Sequence, residues 1–495
     1  MTAPPPDLRD AGAMKVVIAG GGGAGCFAAL LLARAGHEVT VVEREDRGPA
    51  PDVETAAARA FRPTAPQIVQ PHIIMARCRE LLAQHLPDVY RELLAAGVTE
   101  APLATQMPAS LPDRGPRPGD ERLTQLLARR STVDWVLLRA VAAEPGVTFR
   151  PGVRVTGLIS SPAPAGRPPH VTGVRTNAGE LTAGLVVDAT GRRSVLDTWL
   201  AGIGAPPTAV RNAECGLAYY SRHYRLRPGL AAGDLPGSPF QRLVMALDEF
   251  LAGLWPGDSG TMQLGVVPLA ADHRFRAVKD PRIFTRVLES VPAYREWLAV
   301  LDPVTGVFPM GGLHNTLRRL VVDGTPRVTG LHAIGDTVCT TNPTLARGLA
   351  LAMTAAADLA AVIAAHGSDP YAQALALDDL VTAHVEPFYA EQATVDSARL
   401  AQMRHLIFGD PPPVAPRAAG NRVTYGQVRA AMPFDPAAFR AFWKVMGMVA
   451  TPEEAYTDAD VVARTQAVLR ERGEAPPVPG PAREQLSAML LADPA

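Results

Sequence analysis

The sequence predicts a mixed α/β chain: a parallel sheet with alternating helices, interrupted by a β-rich insertion and followed by a helical C-terminal region. Three observations carry this. A β-branched run, a glycine string and a helically spaced apolar segment succeed one another between Lys15 and Glu43. The same strand-then-helix style returns near residue 330, after a strand-rich stretch. Beyond residue 366 the apolar spacing is mostly helical, with Pro-rich breaks at 411–416 and 476–481.

Composition bounds the class. The chain has 495 residues, room for two or three domains of ~100–200 residues each. Hydrophobic residues make up 47% and charged residues 20%, the balance of a globular protein with a large core. A net charge of −1 gives no field to favour nucleic acid. Only Lys15, Lys279 and Lys444 are lysines, the other basic residues being arginine. Cys26, Cys78, Cys215 and Cys339 stand far apart without a CxxC pair, so free thiols in a reducing compartment are expected. The first residues, MTAPPPDLRDAGA, hold no apolar stretch of signal-peptide type. With no apolar run of ~18 residues, a soluble, cytoplasmic protein without a membrane span is expected.

Taken in order, residues 1–13 read as a polar, Pro-rich leader. Lys15–Ala19 is a short buried-type strand. The helix over CFAALLLARAGHE stops at Gly36, and Val39–Val42 forms a second strand ending in Glu43. A long connection follows, with a helix expected over Ile74–Ala96. Thr132–Ala143 reads as a helix and Val147–Arg150 as a strand. Val153–Ile159, Val171–Thr176 and Leu181–Asp188 read as an antiparallel meander. Strands dominate 210–320, interrupted by the helical PRIFTRVLESVPAYREWL. An Ala-rich helix is expected from Gly348 to His366. The expected domains are 14–209 with 321–366, an inserted β-rich domain at 210–320, and a helical region at 367–495. That last region is expected to cover the active site or to form a homodimer contact.

Chemistry enters with Gly20-Gly21-Gly22-Gly23-Ala24-Gly25, a GxGxxG string between strand and helix. Gly20 permits the tight turn, Gly22 the approach of a pyrophosphate and Gly25 close helix–strand packing. The helix N-terminus then offers free N–H groups to phosphate. Glu43, at the end of the second strand, is placed to accept from ribose hydroxyls; Arg44 follows it. Dinucleotide binding follows from the set.

Far downstream, Gly335-Asp336, Pro343 and Gly348-Leu349 precede the Ala-rich helix. This resembles the GD…P…G motif of FAD-dependent hydroxylases of the para-hydroxybenzoate hydroxylase type. The resemblance implies that Asp336 holds the FAD ribityl chain and that the helix aims at the isoalloxazine ring, with Arg347 also in the cofactor set. Val186–Ser194 resembles the ATG motif of the same group, through Gly191. Arg130 is similar to the arginine that contacts the FAD phosphates, and Val155 to the residue that meets the adenine. The likeness covers about residues 14–365 and implies a Rossmann-like FAD-binding domain with FAD as cofactor.

Departures are informative. Asp188 and Gly191 are not adjacent, which favours reduction by a separate flavin reductase over direct use of NAD(P)H. Thr337-Val338-Cys339 replace the usual Ala-Ala-His, Ala346 stands where relatives often carry Gly, and Asn342-Pro343 is similar to flavin epoxidases.

The family implies a monooxygenase: reduced FAD reacts with O2, and one oxygen atom passes to a bulky apolar or aromatic small molecule by epoxidation or hydroxylation, in secondary metabolism. Epoxidation needs no protein base, and none is assigned. Tyr220, Tyr224, Met245, Phe250, Trp255 and Met262 are expected to line the substrate pocket, although strand periodicity also accommodates about half of them in the sheet core. His72 and His314 are further candidates near it. Three rivals stand beside this reading. One is a reductase or dehydrogenase of an isoprenoid-like double bond. Another is a halogenase, disfavoured by the missing Trp-x-Trp-x-Ile-Pro signature and active-site lysine. The last is an FAD-binding protein without chemistry.

Overall fold

The computed structural model describes residues 12–161, 166–413, 421–473, 478 and 480–491. Residues 1–11 of the expected leader, and parts of the Pro-rich loops at 161–169, 411–416 and 476–481, lie outside the described residues.

The nucleotide-type sheet has five parallel strands in the order Leu331–Ala333, Leu185–Asp188, Lys15–Ala19, Glu38–Glu43, Val147–Pro151. Its central strands, through residues 16–19 and 185–187, are apolar and buried on both faces, as in a covered parallel sheet. The helix Gly23–Arg34 packs against Arg130–Ala143 and Gly348–His366. Both the first and the last-synthesised strands end at the same edge, so the glycine loop and the turn at Gly335-Asp336 come together.

Two sequence expectations are corrected here. The helix expected over Ile74–Ala96 is two helices, Ala76–His85 and Pro87–Ala95. Pro87 lacks the N–H that would continue the first and starts the second instead. The meander is Val155–Ser161, His170–Thr176 and Gly179–Thr182. Its expected third strand divides at Ala183-Gly184, where Gly184 N–H donates to Lys15 O (2.9 Å) and Leu185–Asp188 enters the parallel sheet.

The segment between them builds a roof. Leu243–Ala246, Phe250–Pro256, Thr261–Pro268, Tyr219–Leu226 and Leu301–Pro303 form an antiparallel sheet, with Phe308–Met310 also paired to Tyr219–Leu226. The helices Pro281–Glu289 and Pro292–Leu298, separated at Pro292, cover one face. A small sheet of Ala209–Glu214, His314–Arg319 and Cys339–Thr340 ties the two ends of the roof to the strip after Asp336.

Most of the C-terminal helices pack against the nucleotide-type half, and the last, Arg483–Leu491, packs against the roof through Leu486 and Leu490. Pro436–Met446 is buried on nearly all sides through Phe439, Phe442 and Trp443, and its Arg440 pairs with Asp120 (2.9 Å). Among the described residues one helix, Gly348–His366, is long and apolar enough to cross a membrane, and 67% of its most apolar 18-residue stretch is buried inside the fold.

Candidate active site

The glycine string performs separable tasks. Gly20 has φ +109°, and a Cβ there would lie 2.4 Å from Ala189 O. A Cβ on Gly25 would lie 1.9 Å from Gly20 O, so helix and strand touch through their backbones. Gly22 faces open space, with nothing within 4 Å of an added Cβ. It caps the helix Gly23–Arg34 without a side-chain acceptor and with no acid in the first turn. The first N–H groups and the positive helix end are therefore free for an anion. Glu43 is buried; its Oε2 accepts from Gly21 N–H (2.8 Å) and its Oε1 from Glu45 N–H (3.0 Å).

A second helix start faces the same space. Gly335 (φ +63°) turns the chain so that Asp336 projects from the strand end. The helix Gly348–His366 also begins without a side-chain cap or an early acid. Burial raises the Asp336 carboxyl, against the charges of Arg130 and Arg192. Among the described residues no protein donor reaches that carboxylate, which suits an acceptor of ligand hydroxyls.

Two more segments complete the wall. Asp188 is fully buried and spends its carboxylate on the turn after it, accepting from Thr190 N–H (2.9 Å), Thr190 Oγ1 (2.6 Å) and Ser194 Oγ (2.6 Å). The turn then presents Thr190, Gly191 and Arg192 to the cavity. Across it, Arg130 Nε (2.6 Å) and an Arg62 terminal nitrogen (3.0 Å) bind opposite oxygens of Asp134. Burial alone would raise the Asp134 carboxyl, but these two guanidinium groups hold it below the ordinary range. Asp134 thus fixes two cations beside the glycine loop.

These pieces enclose one cavity of about 650 Å³. Of the residues expected at the cofactor, Gly20, Gly22, Gly23, Ala24, Glu43, Arg44, Arg130, Val155, Gly191, Asp336, Pro343, Gly348 and Leu349 all line it. Gly25 acts one layer back, as the packing contact just described. Arg347 is a correction: it is fully buried away from the cavity, paired with Glu391 and stacked over Phe388 at 5.2 Å.

The roof residues are a second correction. None of Tyr220, Tyr224, Met245, Phe250, Trp255 and Met262 lines this cavity. Successive strand residues face opposite sides. The even positions, Tyr220, Tyr224, Phe250 and Met262, pack under the covering helices with Phe284, Val287 and Tyr294, and Met245 packs at the edge of the same cluster. Trp255 is on the other face but lies across Gly253 and Gly265, whose added Cβ atoms would come within 2.0 and 3.3 Å of its ring. His314 is exposed on the small sheet, opposite Glu214.

His72 does line the cavity. Sequence reading missed its neighbours Ile68, Gln70 and Pro71, together with Met310, Leu313 and Thr341. Gln70, Pro71, Leu313 and Thr341 lie in irregular segments, and Ile68 and Met310 in a single helical turn and a three-residue strand too short for periodicity to mark an inward direction. Behind Thr341 and Pro343 runs a buried polar network. Tyr219 donates to Asn342 Oδ1, and Asn315 Oδ1 accepts from Asn342 N–H (2.7 Å). Asp396, on the helix Glu386–Phe408, accepts from Asn315 (2.8 Å), Gln392 (3.0 Å) and Arg399 (2.7 Å).

The donor set fits FAD. The uncapped start of Gly23–Arg34 and the Arg130 guanidinium suit its phosphates, the uncapped start at Gly348 suits its electron-accepting ring, Glu43 and Asp336 suit its hydroxyl-bearing chains, and the open face of Gly22 allows close approach. Comparisons with known proteins agree. Residues 15–109 match the family DAO, FAD dependent oxidoreductase. Protein Rv3254 of Mycobacterium tuberculosis is 27% identical over 377 residues, covering 71% of this chain and 73% of the relative. The flavin-dependent brominase Bmp2 superposes with a TM-score of 0.58 at 18% identity, over 93% of this chain and 98% of its own. PqsL, a probable FAD-dependent monooxygenase from Pseudomonas aeruginosa, gives 0.55 at 19% identity over 81% of this chain and 100% of its own. The chain therefore carries an FAD-dependent oxidoreductase domain, in a fold that flavin-dependent monooxygenases and halogenases share.

Proposed function

We propose that the protein is an FAD-dependent monooxygenase that transfers one oxygen atom of O2 to a bulky apolar or aromatic small molecule, by hydroxylation or epoxidation, in secondary metabolism. One observation carries the reading. A single cavity runs from the glycine loop and the Gly348 helix start to a chamber walled by Ile68, Pro71, Met310 and Leu313. Cofactor and apolar substrate would share it.

FAD supplies the oxygen chemistry when bound; the chain supplies position, charge and dryness. Gly22–Ala24 and Arg130 would hold the phosphates. Glu43, Arg44 and Val155 would take the adenosine end, and Asp336 and Gly191 the ribityl chain. Pro343, Gly348 and Leu349 would meet the ring. The positive helix end at Gly348 favours negative charge on the ring. The apolar chamber excludes water that would divert reduced oxygen. NAD(P)H, directly or through a separate flavin reductase, would supply electrons. A cytoplasmic location belongs to this reading, and all four cysteines are free and buried. The halogenase reading is less well supported, because the cavity wall contains arginines but no lysine.

The test is to photoreduce FAD-loaded protein without oxygen and mix it with O2 in a stopped-flow spectrometer. A monooxygenase is expected to reoxidise in two resolved spectral phases and to place label from ¹⁸O2 in a product. Single-phase reoxidation, with no label in any product, would sink the proposal and leave the reductase or dehydrogenase reading.

A further inference from the structure

The apolar chamber is not wholly apolar. His72 Nδ1 lies 2.8 Å from the Gln70 carbonyl oxygen. A carbonyl can only accept, so Nδ1 carries the hydrogen and Nε2 presents a lone pair. The Gln263 side chain, on the roof, fixes the His72 backbone at both ends: Oε1 accepts from His72 N–H (3.1 Å) and Nε2 donates to His72 O (3.1 Å). Among the described residues no protein group bonds His72 Nε2. Gln70 is 2% exposed and donates through Nε2 to Phe308 O (3.1 Å), leaving its buried Oε1 without a partner. Both residues line the cavity, and buried acceptors left unmade are costly.

Resting on the reading of this cavity as a shared flavin and substrate chamber, we infer that it selects substrates bearing a neutral O–H or N–H donor on an apolar ring system, which His72 Nε2 and Gln70 Oε1 accept. Two further features narrow the class. Burial lowers His72 to about 4, helped by the Arg130 charge, so the ring stays neutral and accepting at ordinary pH. The lone pairs that face the chamber also oppose a carboxylate.

The experiment uses FAD-loaded protein and flavin difference spectra, with two matched probe pairs: 2-naphthol against 2-methoxynaphthalene, and indole against 1-methylindole. The donor-bearing member of each pair is expected to bind about tenfold more tightly, since each 1.4 kcal/mol is tenfold. In His72→Phe that preference should fall to near unity, while FAD stays bound and the methylated probes bind as before. Gln70→Leu should narrow it partially, and serves if the histidine variant fails to fold. Equal affinities within each pair, no binding of any probe at millimolar concentration, or loss of FAD from His72→Phe would each overturn the inference. Binding needs no turnover, so discriminated pairs alongside single-phase reoxidation would leave this inference standing and remove only the monooxygenase reading.

Discussion

Gly22 and Gly25 stand three positions apart and do unlike physical work. An alanine at Gly22 meets nothing in the protein, whereas at Gly25 its Cβ would enter the Gly20 carbonyl. Gly22→Ala is expected to leave the apoprotein's thermal midpoint unchanged and to weaken FAD binding, by crowding the phosphates. Gly25→Ala should cost about 1–3 kcal/mol of stability as an overpacked contact, lowering that midpoint before any cofactor is added. Calorimetry of apo and FAD-loaded forms checks both. These positions were legible in the sequence because a glycine's role is set by its immediate chain neighbours. Arg347 was not, since the left-handed Ala346 before it (φ +54°) fixes which way its side chain leaves the turn. The roof positions failed for a related reason. Alternation separates two faces but does not say which one the helices cover, and here they cover the face of Tyr220, Tyr224 and Met262.

Between elements, the helix Gly23–Arg34 is anchored at its far end by charge. Arg34 binds both oxygens of Asp88 (2.8 Å each) at the start of the helix Pro87–Ala95. The Arg34 hydrogen bonds lower the Asp88 carboxyl to about 2. A depressed carboxyl contributes stability above its unfolded pKa of about 4 and loses it as pH falls through the folded value. Asp88→Asn is therefore expected to cost under about 1 kcal/mol at pH 7, because both partners are solvent-screened. The difference from wild type should shrink between pH 4 and 2 in urea titrations. At this scale the sequence was a good guide wherever proline or glycine ended a segment, as at Gly36 and at the helix Gly348–His366. The helix over Ile74–Ala96 went wrong because the helical apolar spacing runs straight through Pro87, whose ring restarts the helix at a new angle.

Across the whole molecule, the strip 340–348 that lines the cavity is gripped from behind by the C-terminal helices. Arg347 is fully buried with Glu391 as its ion-pair partner. Removing one member of a buried pair leaves an uncompensated charge, at about 3–5 kcal/mol. Glu391→Ala should lose that much in chemical denaturation, and the double variant Arg347→Met, Glu391→Leu should recover most of it. If the single and double variants lose the same amount, the pair is not what holds the strip. The sequence announced helices after residue 366 but not this task. Asn315, Asn342 and Asp396 meet through long-range polar contacts, and no local spacing encodes a partner so far along the chain.

The order in which the sheet is assembled bears on how the protein is made. Its strand Leu331–Ala333 pairs with Leu185–Asp188, and the grip on the cavity-lining strip comes from Glu386–Phe408. During synthesis, the glycine loop emerges from the ribosome long before Asp336 and longer still before Asp396. A nascent chain can thus display half of the cavity wall, but it cannot complete that wall until most of its length is out. A ligand held by both sets of residues would join early and late parts of the chain, and would stabilise only a chain that is nearly finished.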